Sequence, residues 1–196
     1  MSMKLQGVTY RHSVIEDWTT FRATPARFQD FLKQTNGIIA FKGGLHIRGC
    51  CHEPAWHSID HYISGQAAFW KIYPDVLDID IPFAQDCMGD QFLFRGEKVY
   101  KLSLETGLLS FFDYDFYGFL EAIDNNPIEF LGMYPLVQHE MDGKELSPGQ
   151  LLQAYPPLCL NIPGSVISLE AVPAEEQIVF LENLYKQHRN PYAPEE

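Results

Sequence analysis

The chain has 196 residues, enough to bury one sizeable core and too few for several ordinary domains. Hydrophobic residues make up 46%, charged residues 20% and aromatics 14%, a globular composition that excludes a disordered or collagen-like chain. The formal net charge of −12 argues against a nucleic-acid partner, which would require a basic footprint for the phosphates.

Met1 to Tyr10 shows no apolar leader pattern, and apolar runs such as 37–41 are far short of the roughly 20 residues that cross a bilayer. The chain is therefore expected to be cytoplasmic, with no membrane partner. Thr24-Pro25 reads as N-cap and first helical residue, and Phe28, Phe31 and Leu32 follow at helical spacing until Asn36-Gly37, predicting a helix over 25–35. Two apolar runs, Ile38 to Phe41 and Leu45 to Arg48, flank Lys42-Gly43-Gly44 and predict a hairpin. Trp56 to Tyr73 returns to helical spacing and breaks at Ser64-Gly65.

The clearest strand signal is a meander: 91–94, 99–102 and 108–111, separated by turns at Arg95-Gly96-Glu97 and Glu105-Thr106-Gly107. Phe116, Phe119, Leu120 and Ile123 mark an amphipathic helix, with a further turn of helix from Pro127 to Leu131. Residues 133–165 carry Pro135, Asp142-Gly143, Pro148-Gly149, Pro156-Pro157 and Pro163-Gly164, so they are expected to be ordered loop with a helical piece at 150–154. Val166 to Val172 reads as a last strand, and Pro173 opens a terminal helix stopped by Asn190-Pro191. Helices around an antiparallel meander, without βαβ alternation, predict a single α+β domain over 1–196. Its sheet is central and largely antiparallel, with helices mainly on one side and the other face available.

Four cysteines, two of them adjacent, do not make a disulfide scaffold. His46, Cys50, Cys51, His52, His57 and His61 are donor types that zinc prefers. However, Cys50-Cys51-His52 are too close in sequence to spread around a tetrahedron, so neither a metal nor another cofactor is expected. No G-x-S-x-G elbow surrounds Ser165, and no phosphate-binding glycine motif is present. The acids Asp75, Asp78, Asp80, Asp86 and Asp90 read as turn residues around Pro74, Pro82 and Gly89. Residues 1–110 hold 11 basic and 12 acidic side chains, whereas 111–196 hold 3 and 14, so the acidity belongs to the C-terminal part. Phe112, Asp113, Tyr114 and Asp115 form an aromatic-acidic segment that reads either as an entry into the core or as an exposed interaction patch. Together with Glu140, Asp142 and Glu145, they are the candidate partner-binding residues, aromatics as anchors and acids as orienting charges.

The stretch Ile81-Pro82-Phe83-Ala84-Gln85-Asp86-Cys87-Met88-Gly89-Asp90-Gln91-Phe92, after the helix ending at Asn36-Gly37 and before the Ser110-to-Leu120 segment, resembles the SUKH superfamily. That group contains the yeast Smi/Knr cell-wall regulators and many bacterial immunity proteins. The resemblance covers about 20–131 and leaves 132–196 as an extension. It implies an α+β fold and a non-catalytic binding role, most often neutralising a toxin domain such as a nuclease. A basic toxin is then the expected partner, and a homo-oligomer is left open. A housekeeping scaffold of the same fold and a metal-dependent enzyme on the His/Cys cluster are the alternatives.

Overall fold

Alternating apolar residues between 81 and 112 build the centre of the molecule, because a strand with period two can offer a hydrophobic set to each face of a sheet. A computed structural model describes residues 5–160 and 166–189. Seven strands run as one antiparallel meander in chain order: β1 (Tyr10–Arg11), β2 (Ile38–Ala40), β3 (Leu45–Ile47), β4 (Ile81–Asp86), β5 (Gln91–Arg95), β6 (Lys98–Leu102) and β7 (Leu109–Phe112). The chain is a single α+β domain. The 38–48 hairpin and the three-strand meander form where the sequence places them.

Strand β4 has a different origin. Proline is excluded from an ordinary central strand, yet Pro82 lies at a register shift between Pro82 and Ala84, where the bulge makes room for it. Arg95 then forks onto the buried Asp80 carboxylate, at 2.8 and 2.7 Å, and ties the end of β5 to the loop that enters β4.

One face of the sheet carries Phe83, Phe92, Phe94 and Val99 under α1 (Trp18–Ala23), α2 (Ala26–Gln34), α4 (Phe116–Asn125), α5 (Pro127–Leu131) and α6 (Tyr134–Met141). Most of the helical layer is therefore on this side, as the fold class predicts. Thr24 closes α1 by donating its hydroxyl to the Phe21 carbonyl, and Pro25 takes the cap position of α2, one residue later than expected.

The opposite face is not left free. Leu93, Leu102 and Leu104 are buried beneath α3 (Ile59–Ile63), the 3₁₀ turn Phe69–Lys71 and the terminal helix α7 (Ala174–Arg189). The helical spacing that breaks at Ser64-Gly65 is realised as two separate pieces, α3 before the break and that 3₁₀ turn after it. A second sheet, β8 (Gln150–Tyr155) with β9 (Ser168–Pro173), crosses the end of β4–β5, and the Leu152 N–H donates to the Cys87 carbonyl at 2.8 Å.

Two expectations for 133–165 fail here. Residues 134–141 are helical because Pro135 is in the first turn, where its missing N–H costs nothing. Residues 150–155 are a strand, not a helix. Leu152 joins the first core and its neighbour Leu151 the second, so the pattern lacks the alternation that separates strand from helix. The expected turn at Pro163-Gly164 and the stop at Asn190-Pro191 lie outside the described residues.

Phe28 is wholly buried, with its ring centroid 5.0 to 5.5 Å from those of Phe83, Phe94 and Phe116. Phe28→Ala should cost about 3–5 kcal/mol, the range for a buried phenylalanine cut to a methyl group, measured by urea unfolding.

Candidate functional site

The second face of the sheet carries a polar row beneath α3. The His57 Nε2 lies 3.0 Å from the Asn36 carbonyl, which can only accept, so this nitrogen carries the proton. His57 Nδ1 is then an acceptor and takes the Nε2 proton of His46 at 2.8 Å. His46 Nδ1 in turn accepts from the Gln85 amide at 3.3 Å, and the Gln85 oxygen accepts from Arg48. The row is a single polarised chain from a guanidinium to a backbone carbonyl. Burial, more than the neighbouring positive groups, holds His46 well below its ordinary 6.5 and His57 down to about 4, so both rings are neutral at pH 7.

This chemistry dismantles the six-residue His/Cys cluster. His57, Cys51 and the unforeseen His12 bring ligand atoms within 4.8 Å of one another. However, both His57 nitrogens already face hydrogen-bond partners, and a metal would have to displace the Asn36 carbonyl or His46. Burial pushes the thiols of Cys50 and Cys51 up to about 12, away from the thiolate that ligates zinc or attacks a carbonyl. His52 is exposed, with its N–H on Glu16, and His61 lies 3.7 Å from Glu175.

A second polar group opens to solvent. The β4–β5 turn holds Gly89 at φ +105°, and one Asp86 oxygen accepts the N–H groups of Met88, Gly89 and Asp90 at 3.0 to 3.1 Å. Asp86 and Asp90 are thus turn residues, as their place beside Gly89 predicts. The turn also brings both carboxylates onto Lys101 of β6. Asp86 lies 2.9 Å from its ammonium and Asp90 3.4 Å. Asp90 and Lys101 line a cavity of about 220 Å³ with Ser103, Glu105, Leu181 and Gln177 of α7. Gln177 is 1% exposed, donates its amide to the Met88 carbonyl at 3.2 Å, and leaves its side-chain oxygen without a partner among the described residues. Burial, with the Asp86 charge second, pushes the Asp90 carboxyl from its ordinary 3.8 up to about 7, against the opposing pull of Lys101. Gln177 was invisible as a site residue because only helix packing brings it to this turn.

The seven residues expected to bind a partner occupy two places. Phe112 and Tyr114 lean on Phe130 of α5, 5.7 and 6.0 Å between ring centroids. Asp113 pairs with Lys98, and Asp115 caps α4 through the Gly118 N–H at 2.9 Å while binding Arg27 at 2.7 Å. Glu140 and Glu145 line a groove with Gly7 to Thr9 and Lys42, where Glu140 meets Lys42 at 3.2 Å. Asp142, just past α6, accepts from Gln138 at 3.2 Å.

No family model matches the chain, and no curated protein matches it. Among solved structures it is similar to Atu4351 from Agrobacterium tumefaciens, with a TM-score of 0.56 and 12% identity over 89% of this chain and 85% of that one. This likeness shows the fold alone. Among the described residues, no helix is long and apolar enough to cross a membrane.

Two measurements test this chemistry. An acid whose folded pKa is raised contributes stability below its unfolded pKa and loses it as pH rises through the folded value. Asp90→Asn keeps an oxygen for the Leu104 N–H. It should therefore gain stability relative to the unaltered protein as pH rises from about 4 to about 7. The pH dependence of the difference between the two urea midpoints checks this, since the histidines contribute equally to both proteins. Arg48→Lys cannot reach both the Pro82 carbonyl and the Gln85 oxygen, and should cost on the order of 1–3 kcal/mol for each acceptor left unpaired, by the same assay.

Proposed function

We propose that this chain is a non-catalytic immunity protein that binds and neutralises a basic toxin domain. The observation that carries the reading is the uneven charge, 14 acidic against 3 basic residues over 111–196. Exposed acids such as Glu121, Asp124, Glu129, Glu145 and Glu176 place much of it on the surface of the C-terminal part. A one-sign surface of this kind steers an oppositely charged protein and accelerates its encounter.

The state of the reactive side chains supports binding over catalysis. Cys50, Cys51 and Cys159 are pushed up to about 12, 12 and 11, and the imidazoles of His46 and His57 are neutral and hydrogen-bonded at both nitrogens. The SUKH-like block also fits, since Ile81 to Phe92 is the central β4–β5 hairpin with its glycine turn.

The test is co-expression with the product of the gene beside its own. The reading expects that product to arrest growth, this chain to relieve the arrest, and the purified pair to associate at a rate that falls about ten- to a hundredfold between low and high salt. Undiminished arrest despite normal expression of this chain, or a neighbour product that is harmless, overturns the proposal.

A further inference from the structure

We infer that the cavity between the β4–β5 turn and α7 is a socket for one alkyl guanidinium or alkyl ammonium group. As the seat of a basic side chain from a partner it deepens the binding reading above. As a site for a free amine it stands without that reading.

The charge of the lining sets the class of ligand. Asp86, Asp90 and Glu105 face a single cation, Lys101, and the groups that α7 and the α5–α6 connection add are Gln177, Phe180, Leu181, Leu131, Gly132 and Pro135, none of them charged. An anion would meet an excess of carboxylates. A second cation would meet oxygens that the protein itself does not fully use.

Those oxygens can be identified. Asp86 is saturated, because one oxygen takes three backbone N–H groups and the other takes Lys101 at 2.9 Å. Asp90 is not. Its second oxygen is 3.4 Å from Lys101, beyond the roughly 2.7–2.9 Å of a close charge-assisted bond, and its side chain is 26% exposed. Among the described residues, the buried Gln177 oxygen has no partner, a state that costs free energy unless something donates to it. Asp90 and Gln177 line the same cavity. A guanidinium carries five donors in a rigid plane and an ammonium carries three, so either can donate to the free Asp90 oxygen and still hold donors for a second acceptor in the lining.

Size and wall chemistry narrow the ligand further. At about 220 Å³ the space is smaller than the roughly 300–1,000 Å³ that holds a drug-sized molecule. Leu131, Ala154, Pro157 and Leu158 supply an apolar wall. A short methylene stem ending in a cation matches both features, as lysine and arginine stems do when they lie along apolar surface.

The probes are butylguanidinium and N-acetyl-arginine-N-methylamide, titrated into the full chain above pH 7.5 and followed by heteronuclear NMR. The socket predicts saturable shifts at Asp90, Ser103 and Gln177, with N-acetyl-glutamate-N-methylamide producing none. Binding of the capped arginine at least as tight as that of butylguanidinium assigns the socket to a protein side chain. Binding of butylguanidinium alone assigns it to a free amine. Asp90→Asn keeps the Leu104 hydrogen bond and should weaken the bound probe by roughly tenfold, the effect of losing one charged hydrogen bond. Glu105→Gln, a partly exposed position, provides a second variant with a smaller loss in the same direction. Lack of saturable shifts with either cation, equal binding of the glutamate control, or unchanged affinity in a folded Asp90→Asn overturns the inference. None of these outcomes involves the toxin partner, so failure of the immunity assignment is distinguishable from failure of the socket.

Discussion

A positive charge is buried in this protein with no carboxylate among the described residues to neutralise it, and the centre of the sheet is arranged around that fact. Arg48 is wholly buried, donates to the Pro82 carbonyl and to Gln85, and stacks on the Tyr62 ring at 4.2 Å. Taking an ion out of water costs several kcal/mol, so each of these contacts must be held in place by the surrounding fold. Burial lowers the guanidinium to about 10, against the opposing pull of Tyr62, and it stays charged at pH 7. The bulge in β4 has a place in this account, because it brings the Pro82 carbonyl into reach of Arg48.

The same charge orients the polar row beneath α3. Its donation to the Gln85 oxygen leaves the Gln85 amide for His46, which fixes the tautomers of His46 and His57 in turn. The row ends on Asn36, whose side chain binds the Cys50 backbone at both its N–H and its carbonyl and reaches the Val14 carbonyl. The turn after α2, the end of β3 and the N-terminal segment are thereby tied into one polar unit. Gly37 belongs to it for a steric reason. At φ +91°, a Cβ there would lie 2.4 Å from the His57 ring.

Two cores share the central sheet, and the cavity lies at their seam. Phe92 faces the first and Leu93 the second, and β8 repeats the division with Leu152 and Leu151. Where α7 closes over the β4–β5 turn, Leu181 lies beside Gly89 and Gln177 beside Met88. The apolar surfaces of the two cores end at this point, which is why a polar cluster with solvent access can exist next to close packing.

Local chemistry settled much of the architecture. Helix α2, the hairpin of β2 and β3, the meander of β5 to β7, helices α4 and α5 and the terminal helix arise from periodicity and turn residues whose preferences act over a few positions. The charge asymmetry is likewise a property of the sequence. Tertiary structure decided what depends on distant residues. Pro82 became tolerable through a bulge against β5, and 150–155 became a strand because its two sides meet different cores. Six histidines and cysteines that look alike in sequence separated into a neutral hydrogen-bonded relay, buried thiols and surface rings, since burial and partners, not residue type, set their protonation. Asp90 reads as a turn residue on its own, and it acquires a raised pKa and a place in a cavity only because Lys101 from β6 and Gln177 from α7 fold against the same turn.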